Sequence, residues 1–336
     1  MYTSIAILGA TGVVGQKVIA LLANNPRFNI IELVASDQRI GQAFGEACDW
    51  REPIMPLPEK ISKIKLSSDQ DLKADFIVSC LPSDIAEVLE PALAKQGKIV
   101  FSNASAFRMH ENIPLLVPEI NFDHLSLLRK QKTKGKIITN PNCSAVGVTI
   151  ALAPLMRLGE IEHVSVVTLQ SISGAGYPGV PSLDILGNTI PYISSEAEKI
   201  TEETKRILGT AENYAEFSIT THVHRVPVMY GHTVTMHVMF KESVRSEQAI
   251  ESYLAWNKKY SELFLIHNKS GRPQSTKDLA HNDMRAHIGH LRQGDKPNII
   301  GLVCLTHNLV RGAAGAVVAN IESYLNFREG IQHYGS

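Results

Sequence analysis

Cys143 is the residue whose setting most clearly allows chemistry. It lies in TNPNCSAVG, after Pro141 and Asn142 and before a strongly apolar run that reaches Met156. That run predicts a helix, so the thiol sits at a helix N-terminus, where the dipole favours the thiolate. Such a thiolate can attack an aldehyde. The other cysteines lack this setting: Cys80 and Cys304 fall inside apolar strands and read as buried structural residues. Four cysteines without a CxxC pair indicate neither a disulfide framework nor a zinc site, and they fit a reducing cytoplasm. His222 and His224 share one strand face, but a third ligand is lacking, so no metal is expected.

A second chemical feature opens the chain. GATGVVG follows the apolar run Ile5 to Leu8 and leads into a helical pattern from Val13 to Leu22. Glycines at 9, 12 and 15 permit a tight turn and close backbone approach, and the helix N-terminus offers amides to a pyrophosphate. Gly9, Thr11, Gly12, Val13 and Gly15 are thus candidate dinucleotide contacts, with an unliganded strand-to-helix turn as the alternative. After the second strand come Ser36, Asp37, Gln38 and Arg39. Ser36 with Arg39 favours a ribose 2′-phosphate and so NADP, whereas Asp37 would favour NAD or face solvent as a turn residue.

These residues need elements to hold them. Ile5 to Leu8, Ile30 to Ala35, Phe76 to Cys80 and Ile99 to Phe101 are short apolar runs, with helical segments at 13–22 and 85–94 between them. That pattern predicts a parallel sheet covered on both faces. Beyond about residue 140 the texture changes. Ile219 to His224 and His232 to Phe240 alternate and read as an antiparallel pair around RVPVMYG; Ala286 to Leu291 and Asn298 to Leu305 read as a hairpin. The expected fold class is α/β: a Rossmann-like doubly wound N-terminal domain over 1–140, completed by a C-terminal helix at 311–330, plus an α+β catalytic and dimerisation domain over 141–310.

Composition removes other classes. The 336 residues carry 33 Lys+Arg against 33 Asp+Glu, with no basic run to track a phosphate backbone. Nucleic acid is not an expected partner, nor is a membrane, because no apolar stretch approaches the roughly 18 residues of a span.

GATGVVG, SNASAFR ending at Arg108, PNCSAVG, SISGAGYPGVPSLDILGN from Ser171, RVPVMYGH from Arg225 to His232 and NLVRGAAG from Asn308 run nearly end to end. Together they resemble the aspartate-semialdehyde dehydrogenases, in particular the archaeal and fungal branch. The resemblance implies reversible oxidation of L-aspartate 4-semialdehyde with NADP and phosphate, giving 4-aspartyl phosphate, on the route to lysine, methionine and threonine. It implies Cys143 as nucleophile, His232 as acid–base residue and Gln170 as the group that orients the acyl carbonyl. An imidazole suits its role because its ordinary pKa is about 6.5.

Arg225 matches the substrate's carboxylate clamp and Glu196 the partner of its ammonium. Arg108 and Lys199 match the phosphate-binding pair, and Asn142 a further substrate contact. Without the resemblance, Glu196 and Lys199 read as an exposed helix pair worth about 0.3 kcal/mol. Ser173, Gly174, Gly176 and Asn308 match positions beside the nicotinamide. Gln38 stands where many members carry Arg, and His307 where they often carry Asp. A homodimer or a pair of dimers is implied. N-acetyl-gamma-glutamyl-phosphate reductase runs the same chemistry on a similar fold, but PNCS followed by RVPVMYGH argues against it.

Overall fold

The computed structural model describes residues 3–331, the side chain of Asp37 excepted. Strands β1 (Thr3–Leu8), β2 (Phe28–Val34), β3 (Phe76–Ser79), β4 (Ile99–Ser102) and β5 (Lys136–Thr139) form one sheet in the order β2-β1-β3-β4-β5, all parallel. The longer helices are α1 (Val13–Leu22), α2 (Ser83–Lys95), α3 (Ala145–Leu155), α4 (Glu196–Leu208), α5 (Ser246–Tyr260) and α6 (Gly315–Arg328).

Side chains alternate across a strand, so a sheet buried on both faces must be apolar at every position. In β1, Ile5 and Ile7 join one core with Val18, Ile19 and Leu22 of α1 and Val317, Ile321 and Tyr324 of α6. Ala6 and Leu8 point the other way, against Leu93 and Ala94 of α2. The strand order reverses direction between β1 and β3. In doubly wound sheets that switch point opens a crevice at the carboxyl ends of the strands, where ligands bind.

The second sheet contains β6 (Ile161–Gln170), β7 (Ser218–Arg225), β8 (His232–Phe240), β9 (Phe264–His267), β10 (Ala286–Gln293) and β11 (Ile299–Thr306), in the order β7-β6-β8-β11-β10-β9. The expected hairpin of β10 and β11 is present. The expected pairing of β7 with β8 is not. β6 lies between them, parallel to β7 and antiparallel to β8, so the connecting RVPVMYG segment crosses the end of β6 instead of making a tight turn. Val226 N–H donates to the Gln170 carbonyl (3.0 Å), and Ile172 N–H to that of Val228 (2.8 Å). These bonds bring Gln170, Arg225 and His232, the ends of three strands, to one place.

Helix α3 is apolar all round, and every residue in it is buried. A helix of that kind must be surrounded; α3 packs in one core with the second sheet, α4 and α5. Its N-terminus is thereby fixed beneath the strand ends of both sheets.

Candidate active site

Cys143 occupies the loop between β5 and α3, and its Sγ lies 3.1 Å from His232 Nε2 at the start of β8. Ser171 follows the last residue of β6 and supports the far side of the ring. Its backbone N–H donates to Nδ1 (3.1 Å), and its Oγ lies 3.3 Å from the same nitrogen, able to accept when Nδ1 carries a proton. Nδ1 accepting from the amide leaves a neutral ring's proton on Nε2, so Nε2 can take a proton from sulfur only in the tautomer whose Nδ1–H turns from that amide to Ser171 Oγ.

Burial favours the neutral form of both reacting groups. Burial pushes the Cys143 thiol up, to about 12; Glu196 adds to this, while Arg108 and Arg225 oppose it. Burial, with Arg225 acting in the same direction, pushes His232 down to about 3. Burial thus opposes the thiolate that the helix terminus favours. Asn142 Oδ1 already accepts from the amides of Ser144 (2.8 Å) and Ala145 (3.2 Å), which engages the donors at that terminus, and desolvation outweighs the remaining dipole.

Three of the charged residues picked out in the sequence, Arg225, Glu196 and Arg108, converge here. Arg225, at the end of β7 and 7% exposed, donates from Nη1 to the Ser171 carbonyl (2.7 Å). Glu196, the first residue of α4, is 8% exposed and accepts from Asn142 Nδ2 (2.9 Å). It is therefore no surface residue, which removes the reading of Glu196 and Lys199 as an exposed pair. Lys199, one turn on, is half-buried. Arg108 follows β4 and forms a buried ion pair with Glu203 of α4 (3.0 Å). Gln170 is almost fully buried at the end of β6, with Nε2 3.3 Å from Thr168 Oγ1.

Glycines make this convergence possible. A Cβ at Gly312 would lie 2.6 Å from Cys143 Cβ, and one at Gly174 would lie 2.9 Å from Arg225 Nη1 and 3.1 Å from His232 Cε1. At the first sheet, Gly9 has φ +70°, and a Cβ there would meet the Cys80 carbonyl at the end of β3. A Cβ at Gly15 would collide with the Gly9 carbonyl at 2.4 Å. Gly12 begins α1 with no side-chain cap. The loop thus presents backbone amides at the β1/β3 switch point, as a pyrophosphate requires.

Ser36 and Arg39 lie exposed just beyond β2, the strand next to β1. From Val13 a cavity of about 350 Å³ extends to Ser173, Gly176 and Leu309. It runs from one residue of the glycine-loop set to two of those expected beside the nicotinamide, and the residues present fit a dinucleotide. Asn308 braces this region: Gly231 N–H donates to its Oδ1, and its Nδ2 donates to Ser173 Oγ, both at 2.9 Å. Among the described residues no group of three or more His, Cys, Asp or Glu could hold a metal ion.

Residues 4–128 match the semialdehyde dehydrogenase NAD-binding domain, and residues 152–311 the semialdehyde dehydrogenase dimerisation domain. The chain is 39% identical to the aspartate-semialdehyde dehydrogenase of Archaeoglobus fulgidus, over 96% of this chain and 98% of that protein. It is 34% identical to the enzyme of that name from Schizosaccharomyces pombe, over 95% and 96%. A crystal structure of aspartate-semialdehyde dehydrogenase with NADP from Candida albicans superposes with a TM-score of 0.87 at 30% identity, over 98% of this chain and all of that one. The chain belongs to the aspartate-semialdehyde dehydrogenase family.

Several functional neighbours in this family member escape a reading by motif. Ser171 supports the histidine from the residue after β6, and Gly312 gives Cys143 room. Glu203 is a further case. It is 2% exposed, two helical turns from Glu196 on one face of α4, and that spacing was the signal that could have found it. Burial pushes its carboxyl up, while Arg108 and the Asn142 amide oppose the shift.

Proposed function

We propose that this chain catalyses the reversible NADP-dependent conversion of L-aspartate 4-semialdehyde and phosphate into 4-aspartyl phosphate, in the synthesis of lysine, methionine and threonine. The contact between Cys143 and His232, set among buried cations, carries this reading. Arg225 grips the substrate carboxylate with its planar guanidinium, and Glu196 receives the ammonium. As Cys143 Sγ bonds to the aldehyde carbon, Nε2 of His232 takes the thiol proton, with Nδ1–H donating to Ser171 Oγ. The resulting imidazolium donates from Nε2 to the oxyanion, and Gln170 orients that oxygen.

Bound NADP supplies the hydride acceptor in this direction and the donor in the reverse. Loss of hydride from the thiohemiacetal carbon leaves a thioester on Cys143 and returns the oxygen-bound proton to His232. Phosphate, held by Arg108 and Lys199, then attacks the acyl carbon, the C–S bond breaks, and the His232 imidazolium returns its proton to the departing sulfur, restoring the thiol. Asn142 acts through Glu196 and the loop. Gly9, Thr11, Gly12, Val13 and Gly15 hold the cofactor's pyrophosphate, Ser36 and Arg39 its 2′-phosphate, and Ser173, Gly174, Gly176 and Asn308 its nicotinamide end.

We assign residues 1–140 with 311–330 to the cofactor unit and 141–310 to catalysis and dimerisation. Leu183, Leu186 and Tyr192, at 94%, 71% and 68% exposure, suit a homodimer contact, alone or within a tetramer. A reducing cytoplasm keeps the nucleophile a thiol. The test is reduction of NADP, with NAD in parallel, on adding the semialdehyde and phosphate, with N-acetylglutamate 5-semialdehyde as rival substrate. Phosphate-dependent turnover of the first aldehyde, abolished by Cys143→Ala with NADP binding retained, is expected. Unchanged turnover in that variant overturns the mechanism.

A further inference from the structure

Helix α4 holds the nucleophile loop at two points. Glu196 Oε1 accepts from the side chain of Asn142 (2.9 Å), and seven residues later Glu203 Oε2 accepts from the backbone N–H of the same residue (2.5 Å). The other oxygen of Glu203 accepts from Arg108 Nη1 (3.0 Å). One buried carboxylate therefore touches both the residue before Cys143 and the cation assigned to phosphate.

Arg108 has little freedom left. Nη2 donates to the Asn103 carbonyl (2.8 Å), while its buried Nε has no hydrogen-bond partner among the described residues. A buried donor without a partner is costly, and an anion in the site would relieve that cost. Because a guanidinium is planar and rigid, holding Nη1 and Nη2 fixes where Nε points.

We propose that Glu203 is a positioning residue that couples phosphate binding to the nucleophile, by fixing the Arg108 guanidinium and the Cys143 backbone through one carboxylate. The proposal rests on the reading of Arg108 as a phosphate ligand. It assigns Glu203 no contact with substrate and no proton transfer. Its carboxylate accepts at both ends, and an amide cannot, since its NH₂ group would face either Arg108 or the Asn142 N–H. Glu203→Gln therefore sets donor against donor and displaces one of the two groups.

The test measures KM for phosphate, KM for the semialdehyde, NADP affinity and the rate of Cys143 alkylation by iodoacetamide, in E203Q, R108A and the double variant of the full-length protein. E203Q is expected to raise the phosphate KM roughly tenfold and to change the alkylation rate, with NADP affinity unaltered. In the R108A background the same substitution should raise the phosphate KM little further, because residues acting as a unit are not additive. Folded E203Q with an unchanged phosphate KM, or losses that simply add in the double variant, would overturn the coupling. If R108A alone leaves the phosphate KM unchanged, the assignment of Arg108 fails instead, and the alkylation rate in E203Q still decides whether Glu203 positions Cys143. Should E203Q not fold, Glu203→Asp carries the same readouts: it keeps the charge but is too short to reach both partners, so it should shift the phosphate KM or the alkylation rate, and changing neither refutes the proposal.

Discussion

Acid should weaken this fold through buried imidazoles, and His307 gives a clean measure of the effect. Its ring is 4% exposed and tilted against Tyr230 (5.7 Å between centroids), with Nδ1 lacking a partner among the described residues. Burial, with Lys17 and His281 adding in the same direction, pushes it down to about 4. In the unfolded chain the pKa is about 6.5. A depressed pKa means that the unfolded state binds the proton first, so stability is full above about 6.5, falls as pH drops and levels off below about 4. At pH 5 the difference spans about 1.5 pH units at roughly 1.4 kcal/mol each, or about 2 kcal/mol from this one side chain. His232, pushed down to about 3, acts in the same direction and is common to both proteins compared. The assay is urea unfolding followed by circular dichroism at about pH 7.5 and about pH 5, at one protein concentration, for wild type and His307→Gln. The variant should lose about 2 kcal/mol less than wild type between the two conditions. Equal losses would refute the reasoning.

Three further substitutions probe the site itself. Gly174→Ala places a methyl group 2.9 Å from Arg225 Nη1 and 3.2 Å from His232 Nε2 at an exposed position; kcat/KM for the semialdehyde should fall roughly 100-fold with little change in Tm, and full activity would show that the loop moves freely. Ser171→Ala keeps the backbone N–H but removes the acceptor for Nδ1–H, so kcat should drop roughly tenfold with the phosphate KM unchanged. Arg225→Lys cannot reproduce a bidentate grip, and its effect should fall on the KM of the semialdehyde; an unaltered KM would remove Arg225 from that role.

Local features were legible in the sequence, and long-range ones were not. The glycine loop, α1 and the apolar parallel strands follow from patterns within about ten residues, and all recur in the structure. The β7/β8 pairing failed because two alternating runs close in sequence look like a hairpin whether or not a third strand enters between them. β6 supplies that strand from some fifty residues upstream; its inward positions include Thr168 and Gln170, which interrupt the apolar alternation. The candidate catalytic residues were picked out by motif, since type and spacing survive in one dimension, and the structure brings Cys143 and His232 into contact. Glu203 was harder to read: its spacing puts it on one face of α4 with Glu196, but a carboxylate on an amphipathic helix reads as solvated until its partner appears, and that partner is a backbone amide 61 residues away.

The state of the thiol separates the two kinds of inference most sharply. A helix N-terminus is a local feature and argues for a thiolate; desolvation is a tertiary one and argues against it. The tertiary effect is larger here because α3 is buried at every residue and Asn142 already occupies the amides that would have faced the sulfur. A neutral thiol beside a neutral imidazole has a chemical consequence. From that state charge arises as sulfur attacks the aldehyde carbon, and among the described residues its proton has His232 Nε2 as partner at 3.1 Å. Arg108 and Arg225 both favour the anion that then forms, so the cations proposed to hold the substrate's anionic groups also lower the cost of ionising the sulfur.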